Sequence, residues 1–223
     1  MKGETEPRVY TPPLRELTPD TSLGYALAAF ARDVLEEPLL PWQEWLAIHA
    51  LELDEAGGFR FQTVLTLVGR QNGKTTFARI LSDFFLAILG VKVVLGTAQN
   101  VDTANETWEG SVADFETNPV LKPEAVRTLR GAGNRILELT DNRRYKVAAA
   151  NRKGGRGLSC DLILMDEPFV GLDPKASFTL KEFMRQMCGR GTAIFFSTHV
   201  LDVAEKLCNR VVIIKQGRII AEG

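Results

Sequence analysis

Cysteine and histidine are scarce: three cysteines, Cys160, Cys188 and Cys208, and two histidines in 223 residues. An odd number of cysteines at wide spacing gives no disulfide framework, and no Cys/His pattern suits zinc. A reducing, cytoplasmic setting is expected. Long apolar runs are also missing. Lys92 interrupts the best of them, between Phe84 and Ala98, so no bilayer span is expected and any membrane link would run through a partner. The N-terminus lacks a basic-then-apolar leader. Charge of one sign is absent too: the formal net charge is −1, so no whole-molecule field demands nucleic acid or lipid. What remains is ordinary globular composition, 45% hydrophobic and 25% charged, enough for one large domain or a domain with an attached piece.

Residues 1–20 are polar and hold four prolines, which reads as a flexible arm. Leu23, Leu27, Phe30 and Val34 follow helical spacing up to Pro38, and Trp42, Trp45, Leu46, His49 and Leu53 suggest a second apolar helix face on which His49 packs. Beyond residue 60, β-rich runs alternate with helical ones. The runs are FQTVLTLVG, VKVVLGTA, DLILMDE and TAIFFST; a hairpin turns at Asp141-Asn142 and another closes the sequence. Alternation of this kind predicts an α/β fold, a mostly parallel sheet with helices on both faces.

VGRQNGKTT, residues 68–76, lies between a predicted strand and a predicted helix. Backbone N–H groups of such a loop, at a helix N-terminus, suit a phosphate anion. Gly69, Arg70, Gln71, Asn72, Gly73, Lys74, Thr75 and Thr76 are the candidate contacts. Lys74 is expected on the β- and γ-phosphates of ATP and the Thr75 hydroxyl on Mg²⁺. Val68 stands where the usual spacing has its first glycine, and Gly69 comes one residue late. At the end of the LILM run, Asp166 is placed to hold Mg²⁺ and Glu167 to deprotonate the attacking water. Alone, such a pair reads as a solvated strand end; the phosphate loop gives it a partner.

RQNGKTT resembles the deviant phosphate loop of phage terminase large subunits, ATPases that pump DNA into capsids. The resemblance covers about residues 20–167. It implies that Arg70 contacts the γ-phosphate and that Gln43, in LLPWQEWL, reads adenine. VVLGTAQNVDTA and GGRGLSCDLILMDE carry the rest of it. From Glu167 onward a second family enters. DEPFVGLDP and AIFFSTHVLDVAEKLCNRVVIIKQGRIIAEG, about residues 164–223, are similar to the C-terminal end of ABC-transporter ATPase domains. By that resemblance Asp173 crosses a dimer interface and His199 senses the γ-phosphate, with Ser197 and Thr198 beside it. The Leu-Ser-Gly-Gly-Gln signature of that family is absent: Leu158-Ser159 runs into Cys160-Asp161.

Both families are P-loop NTPases of the RecA-like (ASCE) class, so the chain reads as a chimera, engineered or natural. Its parts are an arm (1–20), a terminase-like core (21–167) and an ABC-like segment (168–223) completing the same domain. The leading expectation is an Mg²⁺-dependent ATPase of the DNA-packaging type, without the nuclease domain and so without DNA cleavage. Double-stranded DNA and a capsid portal would be its partners, in the host cytoplasm if it is viral. The rivals are an ABC-type subunit energising a membrane permease, and a module that binds ATP without turnover. Each active form would be a homo-oligomer. Nine arginines and lysines between Arg127 and Arg156 form a stretch suited to DNA phosphates or to supplying an arginine finger, or simply a solvated hairpin face.

Overall fold

The computed structural model describes residues 10–68, 71–98, 101–131, 134–148, 160–198, 212–215 and 218–222. Helices α1 (Gly24–Asp33) and α2 (Pro41–Ala50) precede strand β1 (Thr63–Val68) and helix α3 (Lys74–Ala87). Strand β2 (Val93–Ala98) and helix α4 (Val101–Thr117) follow, then β3 (Ala125–Gly131), β4 (Asn134–Leu139) and β5 (Arg144–Val147). The chain continues through β6 (Leu162–Asp166), α5 (Pro174–Cys188), β7 (Ala193–Ser197), β8 (Val212–Lys215) and β9 (Arg218–Glu222).

The strands form one sheet in the order β3-β4-β5-β2-β6-β7-β1-β8-β9. From β5 to β8 every neighbouring pair is parallel; β3, β4 and β9 add antiparallel pairings at the two ends. Alternate side chains of the central strands feed two cores, as the period-2 geometry of a strand requires. Val94, Leu162, Leu164 and Phe195 face α1, α3 and α4 with Phe77, Phe84 and Trp108. Leu95, Ile163, Met165, Ile194 and Phe196 face the other way, where Met184 and Met187 of α5 cover them. The expected α/β architecture, mostly parallel with helices on both faces, is the observed one.

Three local readings change. Residues 10–20 are anchored. Buried Glu52 accepts from Leu14 N at 2.8 Å and from Arg60 Nη1 at 2.6 Å, and Tyr25 Oη donates to Leu17 O at 2.8 Å. The buried residues of α2 are Gln43 and Ala47, whereas Trp42 and Trp45 are only partly covered. Close approach of α1 explains it: a Cβ at Gly24 would lie 2.3 Å from the Ala47 backbone, so only small groups fit between the helices. His49 does pack, stacked on Trp45 at 3.6 Å between ring centroids, with Tyr10 edge-on to both. Finally, β3 had no clear sequence signal; it is an edge strand with Val126, Arg127 and Arg130 exposed.

Candidate nucleotide site at the strand ends

Register brings the candidate residues together. Ala98, Asp166, Ser197 and Thr66 are successive partners across β2, β6, β7 and β1, so these strands reach the same level at their C-terminal ends. In an open parallel sheet that is where ligands bind. The turn that starts α3 follows β1 there, with Gln71 at φ 61° and Gly73 at φ 81°. Gly73 caps α3, and Lys74 is the helix's first residue.

Lys74 Nζ lies 3.1 Å from Asp166 Oδ1 and 3.4 Å from Glu167 Oε1. One strand, β7, separates β1 from β6, and the lysine side chain crosses it. Ser197 at the end of β7 donates its hydroxyl proton to Asp166 Oδ1, while Glu167 N donates to Ser197 O at 2.9 Å. Glu167 itself has φ 48°, a left-handed backbone rare for a residue with a side chain. A small open cleft adjoins Asp166, lined among others by Lys74, Thr75, Thr97, Tyr145 and Ser197.

Among the other candidates, Gln71 is exposed, and Asn72, Thr75 and Thr76 are half-buried. Gln43 is 2% exposed. Its amide contacts loop and helix backbone, Gly73 O at 2.8 Å and Leu40 N at 2.7 Å. Gly69, Arg70 and His199 lie outside the described residues. Asp173 caps α5, accepting from Ala176 N at 2.8 Å. Among the described residues no group of three or more His, Cys, Asp and Glu side chains is arranged to hold a metal ion by itself.

The basic stretch is more neutral than its sequence. Arg130 pairs with Glu116 at 3.2 Å and Glu109 at 3.5 Å, both from α4, and Arg127 pairs with Glu138 at 3.2 Å. Arg143 is buried, donating to Leu86 O at 2.6 Å and pairing with Glu124 at 2.9 Å; it anchors the hairpin. Arg152, Lys153 and Arg156 lie outside the described residues.

Tyr145 lines the cleft and is not among the site candidates read from the sequence. Its wholly buried ring comes from β5 and lies against Gly96 of β2, where an added Cβ would stand 3.0 Å from the phenol oxygen. Burial pushes its pKa up. A glycine inside a strand is the available signal for such a close approach.

A glycine turn between β1 and α3, facing an acidic strand end two strands away in a parallel sheet, defines a P-loop NTPase fold. The fold is shared with the large terminase of bacteriophage HK97 at a TM-score of 0.62 and 21% identity, over 79% of this chain and 37% of that one. In sequence the chain is similar to Nod factor export ATP-binding protein I. The Rhizobium johnstonii protein is 28% identical over 162 residues, 71% of this chain and 50% of the relative. The Paraburkholderia xenovorans protein is 46% identical over 63 residues, 28% of this chain and 21% of the relative. The chain thus spans about half the length, or less, of these curated relatives. No family model matches it. Among the described residues no helix is long and apolar enough to cross a membrane.

Proposed function

We propose that this chain binds and hydrolyses ATP with Mg²⁺, as the ATPase of a terminase-type DNA-packaging motor. The observation that carries the proposal is the approach of Lys74 Nζ to both Asp166 and Glu167. A triphosphate entering between them would meet a cation on one side and a hydrogen-bond acceptor for water on the other.

Thr75 and Asp166 line the same cleft. One hydroxyl and one carboxylate suit Mg²⁺, which keeps several waters and takes phosphate oxygens as its remaining ligands. When bound, the ion would neutralise charge on the transferring phosphoryl group. Lys74 neutralises the β- and γ-oxygens, and backbone N–H groups at the start of α3 add positive potential. Glu167, set apart from Asp166 by its left-handed backbone, orients the attacking water and takes its proton. Ser197 holds Asp166 in place. Arg70 is proposed on the γ-phosphate from the terminase resemblance of RQNGKTT.

The terminase reading is favoured by the fold similarity and by the missing ABC signature. A second reading, an ABC-type subunit driving a membrane permease, is favoured by the similarity to export ATP-binding proteins. ATP hydrolysis with and without duplex DNA, across a salt series, separates them. Salt-sensitive stimulation is expected for the motor, because phosphate contacts release counterions. ATP-dependent homodimers of Glu167→Gln without DNA stimulation would favour the ABC reading. Lys74→Ala is expected to abolish turnover in either case, and wild-type turnover in that variant would remove the site.

A further inference from the structure

Gln43 binds two backbone segments at once. Its Oε1 accepts from Leu40 N at 2.7 Å, fixing the start of α2, and its Nε2 donates to Gly73 O at 2.8 Å, across 30 residues of sequence. The side chain is 2% exposed. Gly73 is the residue before Lys74, and its φ of 81° is one that side-chain-bearing residues rarely adopt. A Cβ at Gly73 would stand 2.9 Å from Gln43 Nε2, so the amide is seated directly against the loop. The Gly73 carbonyl is also the acceptor for Phe77 N at 3.0 Å, the first turn of α3. One carbonyl therefore joins α2, the loop and the helix that carries Lys74.

We propose that Gln43 is a positioning residue of the phosphate loop, and that it does not read the base. By holding the Gly73 carbonyl it sets the orientation of the peptide from which Lys74 projects toward Asp166. An amide with its oxygen and one N–H committed to backbone, and almost no exposed surface, has little left for a nucleobase edge. The role acts on every triphosphate alike. It rests on the nucleotide site proposed above.

The test uses the full chain with Mg²⁺ and displacement of a fluorescent ATP analogue by ATP, GTP and inorganic tripolyphosphate. Gln43→Ala is expected to weaken all three by the same factor, about fivefold to tenfold for one lost hydrogen bond. Gln43→Glu is nearly isosteric and keeps the acceptor for Leu40 N, but its ionised form cannot donate to Gly73 O, so binding is read at about pH 8 or above. It is expected to lose at least as much as the alanine variant, by the same factor for all three ligands, and to melt below wild type because a carboxylate is then buried against a carbonyl oxygen. A loss confined to ATP, with GTP and tripolyphosphate unchanged, overturns the proposal in favour of base reading. Unchanged binding of all three in Gln43→Glu overturns it as well. Lys74→Ala separates the two levels. If that variant binds tripolyphosphate like wild type, the nucleotide site itself is wrong; if it does not, the Gln43 result stands on its own.

Discussion

Lys74 is engaged by two carboxylates with which a bound triphosphate would have to compete, and this competition makes a quantitative prediction for Glu167→Gln. The Lys74–Glu167 contact is 3.4 Å, with side-chain exposures of 18% and 21%. A partly exposed pair of this kind contributes about 1 kcal/mol at most. Removing it frees Lys74 by about fivefold in binding terms. The substitution also deletes one negative charge beside the position assigned to the γ-phosphate, and glutamine tolerates the left-handed backbone of residue 167 no worse than glutamate does. ATP affinity in EDTA is therefore expected to rise about fivefold or more. Turnover with Mg²⁺ is expected to fall by about a hundredfold to ten-thousandfold through loss of the base. Titration of a fluorescent ATP analogue in EDTA, paired with single-turnover phosphate release, measures both. Unchanged or weaker affinity in EDTA would refute the competition, and hydrolysis at the wild-type rate would refute the role of Glu167.

Two further predictions concern the frame around the site. Arg60→Met leaves the buried Glu52 carboxylate with the Leu14 backbone N–H but no cationic partner, and is expected to destabilise the fold by about 3 kcal/mol, read as a lowered urea midpoint. The double variant Arg60→Met/Glu52→Gln should lose less, because no uncompensated charge remains. Asp83, wholly buried on α3, has its pKa raised well above the usual carboxylate range by burial first and by neighbouring Asp114 next. Its folded pKa exceeds its unfolded one, so its contribution is fully present below about pH 4 and is lost as pH rises toward the folded value, at no more than about 1.4 kcal/mol per pH unit. Asp83→Asn should match wild type near pH 4 and exceed it increasingly toward neutrality. Urea unfolding across pH 4–8 measures this, and a constant difference would contradict it.

The central strands were legible because burial on both faces leaves near-continuous apolar runs, as in LILM and AIFF, that few other structures accommodate. Lys74, Asp166 and Glu167 were legible because each is the chemical type its motif position needs, and the topology does bring them within reach. Edge strand β3 was not legible, since an edge exposes much of its surface and blurs the alternation. The covered face of α2 was misjudged for a different reason: large apolar side chains dominate a periodicity count, but helix contact at Gly24 selects the small Ala47. Arg143 shows the same limit for charge. In sequence it extends a basic run; in the fold it is a buried cross-link between the hairpin, Glu124 and the end of α3.

Two family resemblances in one chain pose a physical problem, because a sheet accepts a strand only if hydrogen bonds and both side-chain faces match. In the sequence reading the two resemblances meet at the acidic strand, where such a match is easiest. Strand β7, in the stretch read as similar to ABC ATPases, lies between β6 and β1 and pairs in parallel with both. It is thus internal to the sheet and links the acidic strand to the strand that precedes the phosphate loop. Its Phe195 points into the core with α3, its Ile194 and Phe196 into the core with α5, and its last residue, Ser197, bonds Asp166 and the backbone of Glu167. Without β7, β1 and β6 would have no common neighbour and Lys74 no fixed relation to the acids. The C-terminal segment is therefore part of the candidate site's geometry, and a variant that damages β7 packing should lose nucleotide binding together with stability.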